Sequence, residues 1–139
     1  MITGSCLCGT VRFRINGTIS GIVECHCSMC RKTSGGAFGA YFVAHRADIL
    51  WQGETALTQY QSSDNLTRSF CAHCGSAVTG ANLTPGDGTI ILAANLLDTD
   101  IGPSVIAAEH LQSKIRWHEN EKSAPQFGGA FPDWNKLNP

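Results

Sequence analysis

Apolar and polar positions alternate along this chain in short runs, and no long stretch keeps helical spacing. Residues 11–15, Val-Arg-Phe-Arg-Ile, alternate apolar with cationic side chains and end in Asn16-Gly17, which predicts a strand and a turn. Residues 19–27 read as the next strand, and residues 31–36 as a polar turn with room for one helical turn. Residues 37–43 are apolar and strand-like, although glycines there weaken a strand unless something must approach the backbone. Residues 48–53 and 55–61 suggest a hairpin around Gly53-Glu54, followed by a loop at 62–65. Residues 67–78 predict a strand, a C-x-x-C-G turn with Gly75 in the left-handed position, and a second strand. The most continuous apolar run, 89–97, is expected to be the most buried strand, and Asp98 to Pro103 breaks it. Residues 105–118 are ambiguous: the Ala-rich start suits a helix, whereas 114–118 alternates like a strand. The tail at 123–132 reads as an irregular arm. No internal repeat or linker divides the chain, so residues 1–139 are expected to form one domain.

Composition sharpens this picture. A chain of 139 residues buries about two-thirds of its unfolded surface. Fifteen glycines and only two methionines point to many short strands and turns, where metal cross-links would supply order that the core alone does not. The expected class is mostly β, with several small antiparallel sheets and hairpins held together by zinc. A net charge of −1 argues against a nucleic-acid module built on a basic face. No run reaches the roughly 18 apolar residues of a membrane span, and the N-terminus lacks the features of a signal peptide. A cytoplasmic location is therefore expected. Thiols stay reduced there, and seven cysteines, an odd count, read as metal ligands rather than disulfides.

The cysteines divide into four and three. Cys25, Cys27 and Cys30 form a C-x-C-x-x-C run. In an extended segment Cys25 and Cys27 share a face while His26 points away, and a turn returns Cys30 to the same place. Three thiolates on one zinc leave its fourth position unassigned, the arrangement that distinguishes a working zinc from a structural one. His26, His45, His73, His110 or His118 would make the site structural by filling that position. The net charge of a three-thiolate zinc needs N–H donors or cations nearby. Arg31 and Lys32 stand next in sequence, to offset that charge, to attract an anionic substrate, or simply to be solvated. Cys6 and Cys8, on one face of a strand, and Cys71 and Cys74, in a knuckle, can close a structural four-thiolate zinc site. Gly9 is expected to let amide groups point at sulfur. Glu24 and Glu109 read as exposed acids rather than general bases, and Trp51, Trp117 and Trp134 as packing residues. A thiolate-rich zinc suits holding an incoming thiol as thiolate, which points to sulfur chemistry on a small aldehyde.

Gly4-Ser5-Cys6-Leu7-Cys8-Gly9 with Val11-Arg12-Phe13, the run from Cys25 to Lys32, and Phe70-Cys71-Ala72-His73-Cys74-Gly75-Ser76 resemble the three cysteine signatures of the glutathione-dependent formaldehyde-activating enzyme family, which includes centromere protein V. Leu97-Asp98 and Glu109-His110-Leu111 through Trp117 resemble its C-terminal pattern. The resemblance implies a zinc-ribbon-like fold of the β-tent type. It also implies two zinc ions, one structural on Cys6, Cys8, Cys71 and Cys74 and a second, catalytic one on Cys25, Cys27 and Cys30. The partners implied are glutathione or a similar small thiol and formaldehyde or a similar aldehyde, joined by a carbon–sulfur lyase. A zinc-stabilised binding module without turnover is the alternative.

Overall fold

The computed structural model describes residues 1–80, 88–102, 104–119 and 128–129. Strands β1 (Ile2–Ser5), β2 (Arg12–Ile15) and β5 (Ile49–Gln52) form a three-stranded antiparallel sheet in that order. A seven-stranded sheet takes β3 (Ile22–Cys25), β4 (Gly39–His45), β6 (Leu57–Ser63), β7 (Leu66–Cys71), β8 (Ala77–Thr79), β9 (Thr89–Ala93) and β10 (Val105–Glu109) in the order β10-β3-β4-β9-β8-β7-β6. Its pairings are antiparallel except for β3 with β10, which is parallel. The class is mostly β, as the alternation predicts, with one short helix, α1 (Ser28–Ser34), among the described residues.

The core lies between the two sheets. In β2, Phe13 and Ile15 turn inward while Arg12 and Arg14 face solvent, the period-two pattern that the sequence carries. They meet Phe42 and Ala44 of β4 and Ile90 and Leu92 of β9. Phe13 and Phe42 pack with ring centroids 6.4 Å apart, and Trp51 meets the edge of Phe13 at 5.7 Å. Each fully buried phenylalanine contributes about 2 kcal/mol through removal of apolar area from water. β9 is the buried strand expected of its apolar run, with Ile90, Leu92 and Ala93 in the core.

Several local expectations change. Cys6 and Cys8 do not lie on a strand: β1 ends at Ser5, and Cys6 to Gly9 is a tight turn closed by Gly9 N–H on Cys6 O at 2.9 Å. β5 and β6 are not a hairpin around Gly53. β5 pairs with β2, and Gly53 packs so close to Thr10 that a Cβ would lie 2.0 Å from its carbonyl oxygen, so the chain crosses there from one sheet to the other. The expected loop at 62–65 is shorter, because β6 runs to Ser63 and Asp64-Asn65 alone turns into β7. Its polar side chains face solvent and hid the strand. The Ala-rich start of 105–118 is strand rather than helix, and 114–118 contains a 3₁₀ turn at Arg116–His118 rather than a strand. Trp117 is 67% exposed and is not a packing residue. Pro103, Trp134 and nearly all of the expected arm at 123–132 fall outside the described residues. No helix among the described residues is long and apolar enough to cross a membrane.

Candidate functional site

Two turns of the same kind bring four cysteines together. Cys6 N–H bonds Val11 O and Cys71 N–H bonds Ser76 O, each at 2.9 Å, and Gly9 (φ 73) and Gly75 (φ 76) supply the left-handed corners. The first turn joins β1 to β2 and the second joins β7 to β8. The sulfurs of Cys6, Cys8, Cys71 and Cys74 all lie within 4.8 Å of one another. Polar groups already face them: Val11 N–H donates to Cys6 Sγ, the Cys8 thiol donates to the Thr10 hydroxyl, and the Ser76 hydroxyl meets Cys74 Sγ, each at 3.3 Å. The Ser76 hydroxyl and amide lower the Cys74 thiol to about 5, and the Thr10 hydroxyl and amide lower Cys8. Burial instead raises Cys71 to about 11. Four converging thiols, with donors arranged for sulfur anions, fit a fully enclosed thiophilic metal.

The second group grows from one strand end and one helix start. Cys25 ends β3, Cys27 keeps extended geometry (φ −61°, ψ 155°), and Cys30 lies inside α1. The expected turn is thus a two-turn helix that begins at Ser28. Cys27 is its N-cap, accepting the Cys30 N–H on sulfur at 3.3 Å, and Gly35 closes the other end through Arg31 O. All three sulfurs lie within 4.8 Å of one another, and the group could hold a metal ion. Burial opposes ionisation of Cys27, but amide and thiol donors led by the Cys30 amide outweigh it and lower that thiol. Burial raises Cys25 far above the ordinary thiol range, and its hydrogen bond with Glu109 adds to the effect.

Beside this triplet stand residues that spacing did not connect to it. The parallel register of β10 on β3 sets Glu109 opposite Cys25, and Glu109, His110 and Cys25 present ligand atoms within 4.8 Å of one another. Glu109 is exposed, as expected, but it lies against the site rather than apart from it. Neither it nor His110 joins the three-sulfur group itself. His26 turns away, buried against Phe38 with ring centroids 5.3 Å apart. His73 Nδ1 lies 3.3 Å from the Thr10 hydroxyl, His118 stacks near Phe38, and His45 ends β4. The adjacent cations do not reach sulfur: Arg31 donates to His26 O and Ser113 O, and Lys32 is exposed. The cation that does is Arg68 of β7, 4% exposed, with Nη2 3.7 Å from Cys30 Sγ. Period-two alternation puts Arg68 on the same side as Leu66 and Phe70, a signal for an inward side chain but not for the sulfur it meets. The triplet opens on a cavity of about 210 Å³ walled by Met29, Tyr41, Leu66, Ile91 and Glu109. A larger cavity of about 670 Å³ shares Tyr41, Ile91 and Glu109 with it.

Comparisons with known proteins find a similar fold and a family. A crystal structure of a Rhodobacter sphaeroides protein matches with a TM-score of 0.58 at 20% identity, covering 76% of this chain and 98% of that one, a likeness of fold. A Halomonas elongata protein named "Putative glutathione-dependent formaldehyde-activating enzyme" is 40% identical over 85 residues, 56% of this chain. The match spans about half, 54%, of that relative's length. Residues 1–114, which hold all seven cysteines together with Arg68, Glu109 and His110, match the family described as glutathione-dependent formaldehyde-activating enzyme, and the chain belongs to that family.

Proposed function

We propose that this chain is a zinc-dependent carbon–sulfur lyase that adds glutathione or a related small thiol to formaldehyde or a related small aldehyde and reverses that addition. The observation that carries this reading is the three-thiol group of Cys25, Cys27 and Cys30 at the wall of a cavity that also bears a carboxylate and an imidazole. Cys25, Cys27 and Cys30 would hold the working zinc, and Cys6, Cys8, Cys71 and Cys74 a structural one, two per chain. When bound, the working zinc supplies stabilisation of a substrate thiolate at neutral pH.

The rest is chemistry of the chain's own side chains. In the forward direction the thiol loses its proton, a carbon–sulfur bond forms, and the carbonyl oxygen gains a proton to become a hydroxyl. Glu109, at the cavity wall beside Cys25, is placed to take the thiol proton. His110, its neighbour, is placed to return one to the oxygen. Met29, Leu66 and Ile91 give the cavity an apolar wall against which a small aldehyde would sit. The same groups run the reverse step with the proton traffic exchanged. The reading takes residues 1–139 as one domain. Seven thiols in metal-ligand groupings suit a reducing compartment, which favours the cytoplasm.

The test is a zinc count followed by titration with glutathione and formaldehyde. Two zinc ions, one of them thiol-responsive, and product formation well above the spontaneous rate are expected. Two inert zinc ions with product at the spontaneous rate would leave a zinc-stabilised binding module instead.

A further inference from the structure

Arg68 is a buried arginine. Its guanidinium donates from Nε to Ser62 Oγ at 3.1 Å, from Nη1 to Tyr41 Oη at 3.5 Å, and from Nη2 to Cys30 Sγ at 3.7 Å. No acidic side chain ion-pairs with it among the described residues. A guanidinium keeps its proton in proteins, and a buried charge without a counter-charge is strongly unfavourable. A sulfur that ligates a metal is a negatively charged acceptor, and Cys30 Sγ is the one set beside this guanidinium. Tyr41, which accepts from Arg68, has its own hydroxyl free to donate toward the same sulfur.

We propose that Arg68, seconded by Tyr41, is a positioning residue that orients Cys30 and offsets the negative charge of the three-sulfur site, and thereby sets how tightly that site keeps its metal. This rests on the reading of Cys25, Cys27 and Cys30 as a metal site. Three thiolates around a divalent cation carry one net negative charge, and Arg68 brings a positive charge that offsets it inside the fold. The counter-ion thus comes from β7, 38 residues away, rather than from the adjacent Arg31 and Lys32. The four-thiol site has hydroxyl and amide donors in this place, so the two sites differ in what compensates their sulfur charge.

Protein refolded with cobalt(II) in place of zinc tests this, because thiolate-to-cobalt absorption reports the ligand sulfurs directly and competition with a chelator gives the affinity of each ion without any assay of turnover. Wild-type protein is expected to take up two cobalt ions. Arg68→Met should weaken the second by about 10- to 100-fold, the usual range for loss of a group that supports a ligand. Arg68→Lys should recover part of that loss because the charge remains while the fork is lost, and Tyr41→Phe should show a smaller loss. Occupancy of the four-thiol site and the far-UV spectrum should not move. Wild-type affinity in Arg68→Met, or equal losses in Arg68→Met and Arg68→Lys, would overturn the charge-compensation role. Should Arg68→Met not fold, the Arg68→Lys and Tyr41→Phe affinities decide, and wild-type values in both would overturn it as well. Uptake of only one cobalt by wild-type protein would instead overturn the three-thiol metal reading beneath it.

Discussion

His110 adopts a backbone conformation that glycine takes elsewhere in this chain: with φ 55° it is the one non-glycine residue of positive φ among those described. Such a conformation costs a non-glycine residue roughly 1 kcal/mol or more, and it persists here where the chain leaves β10 beside Cys25. Asparagine tolerates the left-handed region well. His110→Asn should therefore hold stability within about 0.5 kcal/mol in urea unfolding, yet slow turnover by about 100-fold if the imidazole returns the proton. Full activity in that variant would remove His110 from the proton path. The sulfur ligands were legible because C-x-C and C-x-x-C are local patterns whose geometry one turn decides. The groups around them were not. Arg31 follows Cys30 directly, but one step along a helix rotates a side chain by about 100° and aims it elsewhere. Arg68 and Glu109 arrive instead through strand register, which adjacency in sequence does not encode.

A helix of seven residues is too short to stand alone in water, so α1 depends on its ends and on what it touches. Cys27 caps one end, Gly35 the other, and Arg31 reaches from its middle to Ser113 O, tying the 3₁₀ turn Leu111–Ser113 to the helix. Arg31→Ala should release that turn while leaving both sulfur groups in place. The amides of Ser113 and Lys114, which bond His110 O and Leu111 O, should then exchange with deuterium about 10-fold faster or more. Unchanged exchange there would mean that β10 alone positions the segment. β10 itself also shows where element reading stopped. Val-Ile-Ala-Ala-Glu carries alanines that favour helix, and only the backbone ladder offered by β3 makes it a strand. The hydrophobic alternation of β2 and the apolar run of β9 were legible because their burial is set by their own residues. The pairing of β5 with β2 across Gly53 was not, because sequence order suggested its neighbour.

At the scale of the whole molecule the two sulfur groups do different mechanical work. The four-thiol group ties the β1–β2 turn to the β7–β8 turn, bridging the three-stranded sheet and the seven-stranded sheet across 63 residues of chain between Cys8 and Cys71. The three-thiol group spans only residues 25–30 and bridges a strand end to the helix that follows it. Structural zinc in small domains contributes on the order of 10 kcal/mol of apparent binding energy, comparable with the roughly 5–15 kcal/mol by which a whole domain is stable. Cys6→Ser should therefore give insoluble or unfolded protein. Cys27→Ser removes a sulfur ligand but leaves a good helix cap, since serine accepts the same N–H. That variant should stay folded, melt within several degrees of wild type, and carry one zinc fewer. Metal content and a thermal scan of the two variants decide the matter together. A soluble, zinc-replete Cys6→Ser protein would mean that the apolar contact of Phe13 with Phe42, rather than the sulfur bridge, holds the sheets to each other.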